Sequence, residues 1–266
     1  MNLNGFKACV LRTGGTNCDL ETSIALEEVG IKAEIVHMNQ IANKSLLDYH
    51  LIVFPGGFSY GDYVRAGAVW GKKVLARLRM ELKRFIEEGR LVLGICNGFQ
   101  VLVEAGILPG DGVSETPSAA LANNSSARYE CRWIWLRVEN NETPFTMMME
   151  KGEVLRIPVG HAEGRFLTRS ENDLEELKKN RQIVFRYVLP NGDYANGLYP
   201  FNPNGSMYDI AGICNRKGNV MGMMPHPERA FFGWQLLEWS KAPPERGDGR
   251  KIFESIVKYL REKRIY

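Results

Sequence analysis

The ten residues at 91–100, L-V-L-G-I-C-N-G-F-Q, constrain the fold of this chain more than any other segment. An apolar, strand-like run ends at Cys96, glycines stand two residues to either side, and a helix-like pattern follows. A sharp turn from strand to helix would lift the Cys96 side chain above a sheet, and small neighbours suit its tight backbone. The N-terminus of the new helix would favour the thiolate. The segment therefore predicts a nucleophilic cysteine, with a structural cysteine in a buried turn as the alternative.

Composition describes an ordinary globular chain and excludes several other classes. The 266 residues are 44% hydrophobic and 24% charged, and the net charge of +3 forms no basic stripe. We therefore expect no nucleic-acid partner and no membrane helix. Residues 1–12 do not have the pattern of a signal peptide. The five cysteines are widely spread and form no C-x-x-C pair, which argues against a disulfide framework or a zinc site and favours a cytoplasmic protein.

Strand-like and helix-like segments alternate along the first hundred residues. Apolar runs predict strands at 6–11, 34–37, 51–54 and 91–95, and amphipathic stretches predict helices at 20–29 and 74–88. This alternation is typical of a parallel sheet covered on both faces. Further strands are predicted at 132–138, 154–159, 183–188 and 219–224, with hairpin turns at the N-G pairs 191–192 and 196–197 and a last helix at 252–263. We predict a single domain over residues 1–266, with a polar surface loop at 241–249.

The chain contains four histidines, and two of them begin an H-x-E triplet, His161-Ala-Glu163 and His226-Pro-Glu228. A carboxylate two residues away can fix the tautomer of the imidazole and stabilise the imidazolium. His226 follows a predicted strand at its carboxyl end, where open α/β sheets build their sites, and prolines flank it on both sides. We therefore predict His226 as the base and Glu228 as its orienting group, with His161 as the second candidate.

A second loop is predicted to bind a developing negative charge. The strand at 51–54 runs directly into P-G-G-F, and a Gly-Gly turn exposes backbone N–H groups at the edge of the sheet where Cys96 is expected. We predict that one of these N–H groups, together with the N–H of Asn97, forms an oxyanion hole. The alternative is a simple turn between strand and helix. The loop lacks the G-K-[ST] of a phosphate-binding loop.

Taken together, these segments resemble the class I, or triad, glutamine amidotransferases. G-I-C-N-G-F-Q is similar to the family's nucleophile motif, P-G-G to its oxyanion loop, and P-H-P-E to its His/Glu motif. Longer strings narrow the resemblance to the glutaminase subunits of phosphoribosylformylglycinamidine synthases, namely G-G-T-N-C-D, P-G-G-F-S-Y-G-D-Y-V-R-A-G-A, R-V-E-N-N-E-T-P-F-T, H-A-E-G-R-F and M-P-H-P-E-R. They occur in order and are distributed over most of the chain.

The resemblance implies an α/β fold of three layers, α/β/α and flavodoxin-like, with an open, mostly parallel sheet and a cysteine nucleophile elbow. It implies hydrolysis of glutamine to glutamate and ammonia by Cys96, His226 and Glu228, with the N–H groups of Gly57 and Asn97 as the oxyanion hole. The residues expected at the substrate are Gln100, Gly56 and Phe58. The ammonia would pass to a separate ATP-dependent synthetase subunit that converts formylglycinamide ribonucleotide to its amidine, and a small third subunit would bridge the two. ATP and magnesium are expected on the synthetase, and no cofactor or metal on this chain.

Some positions depart from the family pattern. Thr13 and Gly14 stand where the family more often has an aromatic residue and a proline, and H-A-E-G-R-F has alanine where the family has glycine. The resemblance places His161, Glu163 and Arg165 near the glutamine pocket or the synthetase interface, with a structural salt bridge as the alternative for Arg165. Three other functions stay open: a cysteine peptidase or hydrolase of the same fold, a non-catalytic binding or regulatory subunit that keeps the triad as scaffold, and an amidotransferase subunit that serves another acceptor.

Overall fold

The apolar runs of the sequence form the strands of one large sheet in the computed structural model, which describes residues 5–110, 116–241 and 244–263. The strands are β1 (Lys7–Arg12), β2 (Lys32–His37), β3 (Leu51–Phe54), β4 (Leu91–Ile95), β5 (Ala119–Ala122), β6 (Glu130–Val138), β7 (Val154–His161), β8 (Arg165–Thr168), β9 (Ile183–Val188), β10 (Ile210–Cys214) and β11 (Val220–Met223). The helices are α1 (Asp19–Glu28), α2 (Ala68–Glu87), α3 (Asn97–Glu104), α4 (Glu171–Lys179) and α5 (Arg250–Lys263).

In the described part of the chain, nine strands form one mixed sheet in the order β2-β1-β3-β4-β11-β10-β9-β6-β7. The pairs from β2 to β11 are parallel, and the pairs from β11 to β7 are antiparallel. Since two successive antiparallel steps restore the direction, only β10 and β6 run against the other strands. Every residue of β3, β4 and β11 is buried, as expected for strands covered on both faces. The prediction of an open, mostly parallel sheet is confirmed.

Helices cover both faces of the sheet. α1 and α5 contact each other, α2 and α3 contact each other, and α3 also packs on β3, β4 and β11. The buried positions of α2 repeat at helical spacing and include Val74, Leu78, Leu82 and Phe85, so one side of this helix is covered. This arrangement confirms the predicted three-layer α/β/α fold. None of the described helices is long and apolar enough to cross a membrane.

The two N-G turns do not form the predicted hairpins. The turn at 191–192 supports a single bridge, between Val188 and Tyr194. At 196–197 the chain forms a loop whose N–H groups, from Asn196 and Gly197, each donate to the carboxylate of Asp209 at 2.8 Å. The antiparallel pair at the edge of the sheet is formed instead by β6 and β7. The N-G pairs thus mark turns correctly, but the hydrogen-bond partners of the flanking residues depend on distant parts of the chain.

The predicted surface loop at 241–249 packs on the segment that follows β11. Residues 242–243 of this loop lie outside the described residues. The N–H groups of Gly247 and Gly249 donate to Phe231 O and Ala230 O at 2.9 Å each. A Cβ atom at Gly249 would lie 2.2 Å from Pro227 O, so the two backbones are in direct contact. The loop therefore fixes the chain at 227–231 from outside.

The contact between α3 and β11 leads to a first prediction about stability. A Cβ atom at Gly222 of β11 would lie 2.1 Å from Cδ2 of the buried Phe99 ring in α3. We expect Gly222→Ala to lower the free energy of unfolding by about 1–3 kcal/mol, because the ring must move within a packed core. Chemical denaturation measures this. Gly14→Ala is the control, since a Cβ atom there meets nothing within 4 Å; equal stability of both variants would contradict the packing.

Candidate active site

Cys96 follows β4 at the edge of the sheet where the parallel strands have their carboxyl ends. Its backbone has φ +50° and ψ −106°, which is uncommon for a residue other than glycine. α3 begins at the next residue, so the thiol stands at the N-terminus of a helix. The Cys96 N–H donates to Met223 O of β11 at 2.8 Å, which ties the turn to the neighbouring strand. The backbone has the strand–turn–helix form of the predicted elbow.

The two glycines around Cys96 allow this close packing. A Cβ atom at Gly98 would lie 1.8 Å from Phe54 O, and one at Gly94 would lie 2.7 Å from Gly98 O. The first turn of α3 therefore lies directly against the ends of β3 and β4, with no space for a methyl group. This is the physical reason for the small residues that flank the cysteine in the sequence.

The Cys96 thiol lies almost completely inside the protein. The residue is 4% exposed, and in the thiol form its Sγ donates to Gly160 O of β7 at 3.5 Å. A strand that is distant from β4 in the order of the sheet thus supplies a backbone contact for the sulfur, which the sequence did not predict.

His226 and Glu228 form a buried pair in the same site. His226 Nδ1 lies 2.6 Å from Glu228 Oε1, and the two residues are 3% and 1% exposed. With Nδ1 engaged, Nε2 is the nitrogen that remains for the thiol. Burial alone would lower the pKa of His226, but the Glu228 carboxylate and then Cys96 raise it well above its ordinary value of 6.5. The pair therefore favours an imidazolium ion, and an imidazolium beside a cysteine is an arrangement that activates a thiol for nucleophilic attack.

The loop after β3 leaves backbone donors near this edge of the sheet. Gly57 and Thr16 form an isolated antiparallel β-bridge. The two hydrogen bonds of this bridge join the neighbouring residues, from Phe58 N to Gly15 O at 2.8 Å and from Asn17 N to Gly56 O at 3.4 Å. The Gly57 N–H therefore takes no part in the bridge. Gly57 has φ +146°, a conformation that glycine adopts readily. Asn97 is the first residue of α3, so its N–H has no partner within the helix. Both predicted oxyanion donors are thus available in the geometry of the backbone.

Gln100 links α3 to the segment after β7. Its Oε1 accepts from Asn97 Nδ2 at 2.9 Å, and its Nε2 donates to Glu163 O. Asn97 Oδ1 in turn accepts the N–H of Ser59 at 3.3 Å, which connects the oxyanion loop to the same network. Both polar ends of the Gln100 amide are therefore bonded within the protein. Its expected contact with the substrate stays a prediction and would require one of these bonds to exchange.

The other two residues expected at the substrate contact different residues of the site. Gly56 is packed against the imidazole, since a Cβ atom there would lie 2.7 Å from His226 Cε1. Phe58 is 43% exposed, and its ring stacks on Tyr129 with 6.1 Å between the centroids and 26° between the planes. A Cβ atom at Gly160 would lie 2.9 Å from the Tyr129 hydroxyl. The sequence did not predict Tyr129, which brings a second aromatic ring beside the carbonyl that contacts the sulfur.

The segment at 161–165 does not contain a second His–carboxylate pair. Burial, and then the nearby His226, lower the pKa of His161 to about 3, so its imidazole is neutral. The Glu163 carboxylate accepts the N–H of Ala66 at 3.1 Å instead of contacting His161. Arg165 Nε is buried and has no hydrogen-bond partner among the described residues. Of the two predicted bases, the geometry favours His226.

Asn124 organises this segment, and the sequence did not predict it. The side-chain amide donates to His161 O at 2.8 Å and to Arg128 O at 2.9 Å. The side-chain oxygen accepts from His161 Nδ1 at 3.1 Å and from Gly164 N at 3.0 Å. All hydrogen-bonding positions of the amide are therefore occupied. Nothing in the local sequence distinguishes this residue from its exposed neighbour Asn123, so no sequence signal could have found it.

One cluster in the site has the spacing of a metal site. The ligand atoms of Cys18, His226 and Glu228 all lie within 4.8 Å of one another, and the three residues are buried. However, Arg229 Nη2 lies 3.3 Å from Cys18 Sγ, and its positive charge opposes a cation at this point. We interpret the cluster as the surroundings of the imidazole.

Comparison with known proteins identifies the family. A family model described as a CobB/CobQ-like glutamine amidotransferase domain matches residues 6–260. The phosphoribosylformylglycinamidine synthase subunit PurQ of Archaeoglobus fulgidus is 48% identical over 275 residues, which cover 98% of this chain and 99% of that protein. The chain belongs to the PurQ family. The PurQ subunit of Methanothrix thermoacetophila is 44% identical over 270 residues, which cover 97% of this chain and 99% of that protein.

Solved structures agree with this assignment to the PurQ family. A structure of PurLQS from Thermotoga maritima contains a chain that is 40% identical, with a TM-score of 0.75 and coverage of 96% of this chain and 99% of that chain. The glutaminase domain of Trypanosoma brucei CTPS is 13% identical with a TM-score of 0.55, covers 96% of this chain and 94% of that chain, and shows the fold alone. The predicted resemblance is confirmed, and the chain is a glutamine amidotransferase subunit.

The bonds of Asn124 lead to a second prediction. Asn124→Ala removes the partners of two carbonyl groups, one imidazole nitrogen and one backbone N–H, most of them buried. We expect the free energy of unfolding to fall by about 2–4 kcal/mol, because these groups lose hydrogen bonds that water cannot easily replace. Thermal and chemical denaturation measure the change. The control is Asn123→Ala, next to it and exposed; a loss of the same size there would show that the network does not stabilise the protein.

Proposed function

We propose that this chain hydrolyses glutamine to glutamate and ammonia and supplies the ammonia for the conversion of formylglycinamide ribonucleotide to formylglycinamidine ribonucleotide. The observation that carries this proposal is the meeting of three features at one edge of the sheet: a cysteine at a helix N-terminus, a buried His226–Glu228 pair, and backbone N–H groups that donate to no other group among the described residues. Membership of the PurQ family supports formylglycinamide ribonucleotide as the acceptor of the ammonia, because the relatives are named as subunits of phosphoribosylformylglycinamidine synthase.

In the first half of the reaction, the Cys96 thiolate attacks the carbon of the glutamine side-chain amide. The carbonyl oxygen becomes an oxyanion, and the N–H groups of Gly57 and Asn97 stabilise it. The His226 imidazolium gives its proton to the nitrogen as the C–N bond breaks and ammonia leaves. The product is a γ-glutamyl thioester on Cys96 together with a neutral imidazole.

In the second half, the neutral His226 takes a proton from a water molecule, which attacks the thioester carbon. The C–S bond breaks, glutamate leaves, and the thiolate–imidazolium pair forms again. Glu228 keeps the proton on Nδ1 throughout, so that Nε2 exchanges protons with the reacting groups. A buried carboxylate at 2.6 Å suits this role, because it stabilises the imidazolium in a site from which water is largely excluded.

We propose that the chain works in an assembly with a synthetase subunit and a small bridging subunit, as the PurLQS structure of a relative suggests. ATP and magnesium would bind to the synthetase, and no cofactor would be resident here. We further propose that residues 1–266 form a single domain and that the protein is cytoplasmic. The family match disfavours a peptidase of the same fold.

Covalent labelling tests the nucleophile and the substrate together. An electrophilic glutamine analogue should modify Cys96 selectively, and excess glutamine should prevent this, because the analogue must enter the same pocket. Intact-mass measurement and peptide mapping identify the modified residue. Iodoacetamide serves as the non-specific reagent and should label the exposed Cys131 regardless of glutamine. Modification of Cys96 that glutamine does not reduce would argue against a glutamine pocket.

Substitution of the nucleophile tests the division of labour between the subunits. In the assembled complex, Cys96→Ser should lower glutamine-dependent synthesis of the amidine at least about 100-fold, because a serine hydroxyl is a far weaker nucleophile at this position. Synthesis with ammonium salts should stay at the wild-type rate. Cys131→Ser, an exposed cysteine, is the control for the loss of a thiol. Equal loss of both activities, or of neither, would contradict the proposal.

A further inference from the structure

Cys18 lies beside the imidazole on its Nδ1 side, and the proposed reaction does not use it. The residue is 2% exposed, and its Sγ lies 4.0 Å from His226 Nδ1. Its N–H donates to Gly56 O at 3.2 Å. A Cβ atom at Gly56 would lie 3.1 Å from the same sulfur, so no other atom fits between the loop and the thiol. One residue thus contacts the base through its side chain and the oxyanion loop through its backbone.

The thiol also contacts a guanidinium group. Arg229 Nη2 lies 3.3 Å from Cys18 Sγ, and Arg229 Nε lies 2.6 Å from Glu21 Oε1 of α1. Two partners on the segment 18–21 therefore hold this cation. Burial would lower the pKa of Arg229, but Cys18, Glu21 and Glu228 together raise it. The cation is therefore within electrostatic range of the carboxylate that orients His226.

That carboxylate has an unused oxygen. Glu228 Oε1 is bonded to His226, whereas Oε2 is buried and has no hydrogen-bond partner in the part of the chain that the structure describes. A guanidinium and a carboxylate form strong, often bidentate, pairs when they can meet. Arg229 is the next residue in the chain, yet its bonds are to Cys18 and Glu21. The arrangement keeps two groups of high mutual affinity apart.

We propose that Cys18 is a positioning residue, whose thiol acts with Glu21 to hold the Arg229 guanidinium away from Glu228, so that the carboxylate stays bonded to His226. This inference rests on the proposed function, because it requires His226 to be the base. A thiol suits the position because it is a weak hydrogen-bonding group and does not compete with Glu228 for Nδ1. Without it, the guanidinium would turn to the free oxygen of Glu228 and weaken the carboxylate's hold on the imidazole.

The consequence is a change in the pH dependence of the reaction. A Glu228 carboxylate that is paired with Arg229 raises the pKa of His226 less, so the imidazolium loses its proton at a lower pH. In a plot of kcat/KM against pH, the fall on the alkaline side (the alkaline limb) reports this deprotonation in the free enzyme. The titratable groups that interact with the imidazole from the surrounding elements are Cys18, Cys96, Tyr129, His161 and Glu228, and the charge of Arg229 interacts with Cys18 and Glu228. Of these, the experiment changes only Cys18 and Arg229.

The test measures glutamine hydrolysis by the assembled complex between pH 6 and 10. For Cys18→Ala we expect the alkaline limb of kcat/KM to move down by about one pH unit, which is about a tenfold loss at high pH. The double variant Cys18→Ala/Arg229→Met should recover most of this loss, because no guanidinium is left to pair with Glu228. Cys9→Ala, a cysteine fully buried in β1, is the matched control for a small cavity and should leave the limb in place.

Two outcomes would overturn the inference: an alkaline limb of Cys18→Ala that coincides with that of the wild type, or a double variant that is no better than the single one. If Cys18→Ala does not fold, Glu21→Gln releases the guanidinium from its other side and should move the limb in the same direction; an unchanged limb there also overturns it. Wild-type and Cys9→Ala activity tests the proposed function separately, since failure of that function would abolish hydrolysis in both.

Discussion

The carbonyl oxygen of Phe54 leaves no space for a side chain at Gly98, and the position of the site depends on this contact. Because the first turn of α3 lies directly on the end of β3, the turn between β4 and α3 must be sharp, and Cys96 adopts a positive φ angle. The same strand continues into the loop that carries Gly57. One backbone contact therefore fixes the sulfur, the helix N-terminus and the loop that carries Gly57 relative to one another.

Much of this could be predicted because the signals are local. β3, β4 and β9 are short, continuous apolar runs between turn residues, and their observed bounds agree with the predicted ones. Cys96 and the H-x-E triplet at His226 follow such strands, so the rule that parallel strands end at one edge was sufficient to bring them together. Their catalytic roles stay a prediction, for which the geometry supplies the required contacts.

Other elements depend on distant partners or carry weaker signals. β5 and β8 are four residues each and pair with each other across a long stretch of chain, and β10 is interrupted by an irregular register at Gly212. α2 begins at Ala68, earlier than predicted, because its first turn, at 68–71, is wholly apolar and shows no amphipathic pattern. α4 is different, since Ser170 accepts the N–H of Asp173 as an N-cap and acidic residues follow it. This N-cap signal is local and is sufficient to predict the start of α4.

The anchoring of the site to β7 has a consequence for how the protein loses activity. Pro158 O accepts the N–H of His226 at 2.9 Å, and Gly160 O accepts the Cys96 thiol, so one strand holds both His226 and Cys96. β7 is the last strand in the order of the described sheet and is paired there only with β6. Local opening at such an edge costs less free energy than global unfolding. On mild heating, the chain would pass through a state in which the centre of the sheet is folded while Cys96 and His226 are no longer aligned.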